Sequence, residues 1–182
     1  MSTQFEMNSH VKVWFYDPKT GNDSTFNNMV AYFDGPYSHC EVQFPDGQAY
    51  TIYMGCTASA KKRSFDTKFY TCITLPLVLQ DMRRAQKKAN DIVAAQTPFS
   101  LYAMTFSVMH SAVHTAFPSA LSPDPNTTFC SKLCADVLQE ACVFKDINTA
   151  NITPSALHRL LVQKTRDAKP LTSQIAIDFR RR

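Results

Sequence analysis

The 182-residue chain is 45% hydrophobic and 12% aromatic, which is enough for one folded domain with a sizeable core and excludes a disordered chain. Two local clusters, Lys61-Lys62-Arg63 and Arg180-Arg181-Arg182, account for the formal net charge of +4, so the sequence predicts no nucleic-acid partner. The chain has no run of about eighteen apolar residues, and a membrane-spanning helix is not expected.

The N-terminus and the cysteines bear on the cellular compartment. Residues 1–6 lack the basic start and the apolar run of a secretion signal. The six cysteines are at positions 40, 56, 72, 130, 134 and 142 and would allow a disulfide framework. Without a secretion signal, we interpret them as reduced thiols and expect a cytoplasmic protein.

The first half of the chain is rich in predicted strands. The predicted elements are a strand over 10–16, a helix over 24–33, hairpin strands over 38–44 and 48–53, and a strand over 69–77. The hairpin has the clearest signal, because two β-prone runs flank the turn Pro45-Asp46-Gly47.

The first hairpin strand is predicted to have two different faces. Side chains alternate along a strand, so His39, Glu41 and Gln43 share one face. The alternate residues, from Cys40 to Phe44, form the apolar face that we expect in the core. His39 and Glu41 are therefore predicted to lie together outside the main apolar layer.

The second half of the chain is predicted to be helical. Helices are predicted over 79–95, 101–116 and 130–143, a fourth begins at Thr153-Pro154, and a loop with three prolines covers 117–127. Early strands followed by late helices predict an α+β fold. We expect one domain over 1–165 and a basic C-terminal tail over 166–182.

Cys130 is the candidate nucleophile. It follows Asn126, Thr127 and Thr128, which are good capping residues, so we predict that it lies in the first turn of a helix. There the helix dipole favours a thiolate, and the backbone N–H of Cys130 can bind an oxyanion. A strand histidine such as His39 can serve as the base. The alternative is that both residues have only structural roles.

Two further patterns indicate weaker chemistry. His110 and His114 have i, i+4 spacing, but Ser111 replaces the glutamate of the zinc-protease pattern. Cys130 and Cys134 have the same spacing, which is not that of a zinc knuckle. We therefore expect no metal and no cofactor. The basic face of the helix over 79–95 permits peripheral contact with an anionic membrane, although a solvated surface helix is favoured.

Two segments carry a resemblance to a known family. Ser38–Gly47 resembles the SHxE hairpin of circularly permuted NlpC/P60 (papain-like) hydrolases, and Phe129–Cys134 resembles their FCSE nucleophile segment. Tyr102 and Thr153–Leu157 are weaker matches. The order, with histidine before cysteine, is that of the permuted group, which includes lecithin–retinol-acyltransferase-like enzymes and phage and poxvirus proteins. The resemblance implies a small antiparallel sheet packed against a helix that bears the nucleophile.

The resemblance also implies a role for each site residue. Cys130 is the expected nucleophile and His39 its general base. Counting through the hairpin puts Thr51 where acyltransferase-like members have a second histidine, and Glu41 is the other candidate for orienting the imidazole. The sequence departs from the family pattern in two ways, because threonine orients an imidazole less well and Lys132 replaces the usual acidic residue.

We therefore expect a thiol-dependent hydrolase of the amidase or peptidase kind that forms an acyl-enzyme on Cys130. Lipid acyl transfer or ester cleavage is the alternative within the same chemistry. A non-catalytic interaction module, viral in origin, is the alternative of a different class. The expected substrate is a peptide, an amino-acid conjugate or a lipid, and a viral protein of this kind would act in the host cytoplasm. No oligomeric state is predicted.

Overall fold

The computed structural model describes residues 9–20, 24–113, 124, 126–145 and 147–167. Within these residues the chain has a five-stranded antiparallel sheet and five α-helices, so the predicted α+β class is confirmed. No helix in the described ranges is both long and apolar enough to cross a bilayer. Residues 168–182 of the predicted tail lie outside the described residues.

The strands and helices follow local sequence patterns, with one exception. The strands are β1 (Ser9–Tyr16), β2 (His39–Gln43), β3 (Gln48–Thr51), β4 (Ser59–Lys62) and β5 (Tyr70–Leu77). The helices are α1 (Thr25–Asp34), α2 (Leu79–Ala94), α3 (Leu101–Val113), α4 (Cys130–Glu140) and α5 (Pro154–Asp167). The exception is β4, which was not predicted because its four residues are too few and too polar to show a strand pattern.

The sheet places His39 and Glu41 on one face. The strand order is β4-β3-β2-β1-β5, so β2 is the central strand. The register pairs Trp14 with Glu41 and Tyr16 with His39, and residues paired in antiparallel strands point to the same face. We call the face with His39 and Glu41 the outer face and the face with Cys40 the inner face.

Helix α4 packs against the inner face. Leu133, Val137 and Leu138 of α4 are at most 1% exposed and belong to the same core as Cys40 and Val42 of β2. Burial of one such side chain stabilises the fold by about 1.5–3 kcal/mol. The apolar stripe of α4 therefore determines where the first turn of that helix, with Cys130, lies relative to β2.

The start of α5 agrees with the prediction. Thr153 Oγ1 accepts a hydrogen bond from the Ala156 N–H at 3.2 Å, as a capping threonine does, and Pro154 is the first helical residue. The carboxylate of Asp34, at the end of α1, accepts hydrogen bonds from Thr153 Oγ1 and, at 3.0 Å, from the Ser155 N–H. A buried network therefore ties the end of α1 to the start of α5.

Other helix ends differ from the predictions or lie outside the described residues. Helix α4 ends at Glu140, earlier than predicted, because Cys142 adopts a left-handed conformation with φ of 54°. Helix α5 extends to Asp167, beyond the predicted domain boundary. Helix α3 is described to Val113, and most of the predicted loop over 117–127 lies outside the described residues.

Candidate active site

Cys130 is the first residue of α4, as predicted, but residues 126–128 do not cap the helix. The N-cap is Phe129, and it makes no side-chain capping bond. Thr128 is instead held in an extended segment, because its N–H donates to the Pro98 carbonyl at 3.1 Å. The start of α4 therefore has no side-chain cap. The dipole of α4 and the N–H groups of its first turn favour an anionic sulfur at Cys130.

Packing around the first turn of α4 fixes the position of Cys130. The side chain of Ser131 is fully buried, and its Oγ donates to the Ile152 carbonyl at 2.7 Å. Phe129 is also fully buried, and Cys130 itself is 4% exposed. The thiol therefore points into the protein, and its access to solvent is through the cavity that it lines.

His39 and Cys130 line the same cavity, which has a volume of about 450 Å³. A hydrogen bond with Cys40 holds the pKa of the Cys130 thiol well below its usual value against the effect of burial, and the charge of His39 adds to this. Burial lowers the pKa of His39, but interactions with Cys130 and Glu41 outweigh it and raise the pKa to about 10. The electrostatics therefore favour a thiolate–imidazolium pair.

Thr51 and Glu41 both contact the imidazole of His39, at the same nitrogen. Thr51 Oγ1 lies 3.0 Å from His39 Nε2, and Glu41 Oε1 lies 3.5 Å from it. Because Nε2 faces these two groups, Nδ1 is the nitrogen left for Cys130. Tyr53 stacks on the imidazole, with ring centroids 4.8 Å apart and ring planes 19° apart. The structure therefore brings the four predicted site residues together and holds the imidazole in one orientation.

Glu41 is fully buried on the outer face of β2, and sequence reasoning missed two of its partners. Its Oε1 accepts hydrogen bonds from Arg63 Nη1 at 2.8 Å and from the Tyr53 hydroxyl at 3.0 Å. Continuing the β2–β3 register, which pairs Val42 with Tyr50, places position 53 opposite His39 and could have found Tyr53. Arg63 follows the unpredicted strand β4, and in the sequence it reads as part of a solvated basic cluster.

The cavity at Cys130 is lined mainly by uncharged side chains. Among the described lining residues, none is Asp, Glu, Lys or Arg. Ser38 lines the cavity, is 6% exposed, and its Oγ has no hydrogen-bond partner in the described part of the structure. A buried hydroxyl without a partner is costly, and a bound ligand can supply the missing hydrogen bond. The largest lining side chains are those of Tyr16, Phe26, Tyr53, Tyr70, Phe99, Met54 and Met104.

Two residues named in the family resemblance do not contribute to this cavity. Lys132 Nζ forms an ion pair with Asp136 Oδ2 at 2.7 Å along α4. Tyr102 is 54% exposed on α3 and is not among the residues that line the cavity. The family pattern at these two positions therefore has no counterpart in the geometry at Cys130.

The other thiols differ from Cys130 in their surroundings. All six cysteines are free thiols. Cys40 and Cys134 are buried beside Cys130, and burial, followed by hydrogen bonds with these neighbours, raises the pKa of the Cys40 thiol well above its usual value. Cys56 and Cys142 are exposed. A thiolate is therefore favoured at Cys130 and disfavoured at its neighbour Cys40.

A metal site has no set of ligands in the part of the chain that the structure describes. No group of three or more His, Cys, Asp or Glu side chains there could hold a metal ion. His110 belongs to α3, and His114 lies outside the described residues.

No protein family, no curated protein and no solved structure matches this chain. The resemblance to the permuted NlpC/P60 group, which rests on Ser38–Gly47 and Phe129–Cys134, stays a prediction.

Proposed function

We propose that the protein is a thiol-dependent hydrolase with the circularly permuted papain-like (NlpC/P60) fold, acting on amides of the peptide or amino-acid-conjugate class. The observation that carries the proposal is the juxtaposition of Cys130, at the start of α4, with His39 in one cavity. The opposite pKa displacements of these two groups support it, because they favour the ion pair that a thiol hydrolase uses.

In the proposed reaction, the Cys130 thiolate attacks the carbonyl carbon and the C=O electron pair moves to the oxygen. Collapse of the tetrahedral intermediate breaks the C–N bond, and the His39 imidazolium gives its proton to the leaving amine. Neutral His39 then takes a proton from water as the resulting hydroxide attacks the thioester. The second tetrahedral intermediate collapses by breaking the C–S bond, which releases a carboxylic acid and restores the Cys130 thiolate. Water is therefore the only co-reactant.

Two hydrogen-bond donors are available for the oxyanion. The first is the backbone N–H of Cys130, at the positive end of the α4 dipole. The second is the hydroxyl of Ser38, which lines the cavity and has no partner among the described residues. The two donors come from different parts of the fold, since Ser38 directly precedes β2 and Cys130 begins α4.

Selective alkylation of Cys130 tests the proposed function. Brief treatment with iodoacetamide at pH 6, followed by peptide mass spectrometry, compares Cys130 with the exposed Cys56 in the same molecule. We expect Cys130 to react more than about tenfold faster, because an ordinary thiol is almost fully protonated at that pH. His39→Ala should remove the difference, whereas His10→Ala, at an exposed position of β1, should not.

Equal alkylation of Cys130 and Cys56 would contradict the proposed function. It would favour the alternative that the protein is a non-catalytic interaction module with a buried, unactivated cysteine.

One observation favours lipid esters as a second class of substrate. An apolar groove of about 380 Å³ shares Met104 with the cavity at Cys130, so a long acyl chain could extend from one into the other. The groove is lined by residues of α1 and α3: Met29, Val30, Phe33, Met104, Thr105, Val108 and Met109.

Chain-length preference distinguishes this second class. Rates of Cys130 acylation by p-nitrophenyl butyrate and p-nitrophenyl decanoate are compared in the wild type and in Met109→Asp, a change at a half-exposed groove residue. A preference for the longer chain that Met109→Asp abolishes supports lipid esters. Equal rates with both esters favour the short acyl groups of peptides and amino-acid conjugates.

A further inference from the structure

Glu41 presents one carboxylate oxygen to three groups. Oε1 lies 2.8 Å from Arg63 Nη1, 3.0 Å from the Tyr53 hydroxyl and 3.5 Å from His39 Nε2. Its side chain is 0% exposed, whereas that of Arg63 is 22% exposed. A buried carboxylate is unfavourable unless it is paired and hydrogen-bonded; Arg63 and Tyr53 supply these partners at Oε1, whereas Oε2 is buried and has no hydrogen-bond partner among the described residues.

The guanidinium of Arg63 is held in place by the outer face of the sheet. It lies over the ring of Phe65, with 4.5 Å to the centroid, and its Nη2 donates to the Tyr70 hydroxyl at 3.3 Å. The backbone carbonyl of Arg63 accepts a hydrogen bond from Gln43 Nε2 at 2.8 Å, and Gln43 Oε1 accepts one from Trp14 Nε1 at 2.9 Å. These contacts hold both the guanidinium and the backbone of Arg63 in place, whereas a solvated surface arginine has no such contacts.

Tyr53 connects the same network to the imidazole. Its ring stacks on His39, and its hydroxyl accepts a hydrogen bond from Arg63 Nη1 at 2.7 Å while donating to Glu41. Burial, followed by the charge of Glu41, raises the pKa of Tyr53 to about 12, so the phenol keeps its proton and remains a donor.

We propose that Arg63 and Tyr53 are positioning residues for the thiol chemistry, because they hold an ionised Glu41 carboxylate against Nε2 of His39. The proposal rests on the proposed function. In the thiolate–imidazolium state, the charges of Arg63 and His39 balance those of Glu41 and Cys130. Loss of Arg63 leaves a buried net negative charge, which disfavours the Cys130 thiolate.

A smaller thiolate fraction slows alkylation, because a protonated Cys130 is no longer a nucleophile. Arg63 is the cation in direct contact with Glu41, and Lys12 of β1 lies farther along the same face, over the ring of Trp14 at 6.0 Å. The other titratable groups that face the network are Tyr16 of β1, Cys40 of β2, Tyr53 after β3, Tyr70 and Cys72 of β5 and Cys134 of α4.

The test is the pH profile of Cys130 alkylation by iodoacetamide, measured relative to Cys56 in the same molecule. We expect Arg63→Met to lower the rate of Cys130 alkylation about tenfold on the acid limb, the acidic part of the profile where the rate falls with pH. Tenfold is the change that a shift of one pKa unit produces there. Arg63→Lys should restore part of that rate, because it keeps the charge without the planar fork. Lys62→Met is the matched control, because it removes one exposed cation from the adjacent position and should leave the profile unchanged.

Tyr53→Phe keeps the ring stacked on His39 and removes only the hydroxyl, so it tests the same network if Arg63→Met does not fold. We expect a loss of about threefold on the acid limb, the size of one hydrogen bond of modest strength. An unchanged profile in the folded Arg63→Met protein, or in Tyr53→Phe if Arg63→Met does not fold, overturns the inference while the proposed function stands. A wild type in which Cys130 reacts no faster than Cys56 overturns both.

Discussion

The inner and outer faces of the sheet contribute differently to the site. Cys40 and Val42 of β2 point inward and pack with α4 in the apolar core. His39 and Glu41 of the same strand point outward, where Glu41 is as fully buried as Val42 but is surrounded by polar and aromatic groups. Apolar packing on one face therefore places the nucleophile helix, and a polar network on the other face sets the charge of the base.

This difference predicts two kinds of mutational effect. Substitutions of apolar inner-face residues should change stability or the binding of the acyl group and leave the ionisation of the Cys130–His39 pair unaltered; Cys40 is the exception, because its thiol forms a hydrogen bond with Cys130. Substitutions on the outer face should change that ionisation and have smaller effects on stability. An apolar inner-face substitution that changes the ionisation, or an outer-face substitution that changes only the stability, would contradict this comparison.

The largest effect is expected from Leu138→Ala in the core of α4. The side chain is 0% exposed, so its truncation should lower the free energy of unfolding by about 2–5 kcal/mol. Urea unfolding followed by circular dichroism measures the loss. Leu79→Ala, at a residue that is 38% exposed, is the control and should cost less than about 1 kcal/mol. The ratio of Cys130 to Cys56 alkylation in the folded Leu138→Ala protein should equal that of the wild type.

Ser38→Ala should separate acylation from thiol reactivity. We expect about a hundredfold slower acylation of Cys130 by p-nitrophenyl acetate, because one oxyanion donor is lost. Alkylation by iodoacetamide forms no oxyanion, so its rate should be unchanged. Ser64→Ala, at an exposed serine, is the control. Equal slowing of both reactions would show that Ser38 acts on the thiol and not on the oxyanion.

Glu41→Gln should lower the pH at which His39 loses its proton. The carboxylate stabilises the imidazolium, which keeps its proton until the pH rises through its raised pKa of about 10. Without that negative charge we expect the pKa of His39 to fall by about one unit or more, which NMR titration of the imidazole nitrogens measures. Asp136→Asn on α4, which removes a carboxylate paired with Lys132, should leave the titration unchanged.

The smallest effect is expected from Thr51→Val. The substitution keeps the shape of the side chain and removes the 3.0 Å contact between Oγ1 and His39 Nε2. Because Glu41 still contacts the same nitrogen, the alkylation rate of Cys130 should fall only about threefold. A loss as large as that of His39→Ala would mean that Thr51, and not Glu41, orients the imidazole.

Short-range signals in the sequence predict the parts of the fold that carry the site. The Asp46-Gly47 turn specifies the hairpin, and Thr153-Pro154 specifies the start of α5. These two features are local, so no knowledge of the tertiary structure is needed to find them. Thr51 is expected beside His39 only from the family resemblance, and the structure has it there.

Tertiary contacts determine what the sequence could not predict. Arg63 resembles any exposed basic residue until the outer face brings it to Glu41. Thr128 is a good capping residue, but its N–H donates to the Pro98 carbonyl, which holds it in an extended segment, and Phe129 becomes the N-cap of α4. Both outcomes depend on residues far apart in the chain, which residue preferences within one segment do not describe.

The most direct test of the central claim is the rate of Cys130 alkylation between pH 5 and 8. An ordinary thiol slows about tenfold for each pH unit below its pKa of about 8.5. Because the pKa of Cys130 is held well below its usual value, more of it should remain thiolate as the pH falls, and its rate should fall by much less than tenfold per pH unit. His39→Ala should restore the slope of an ordinary thiol. A wild-type rate that already falls tenfold per pH unit would contradict the claim that Cys130 and His39 form an ion pair.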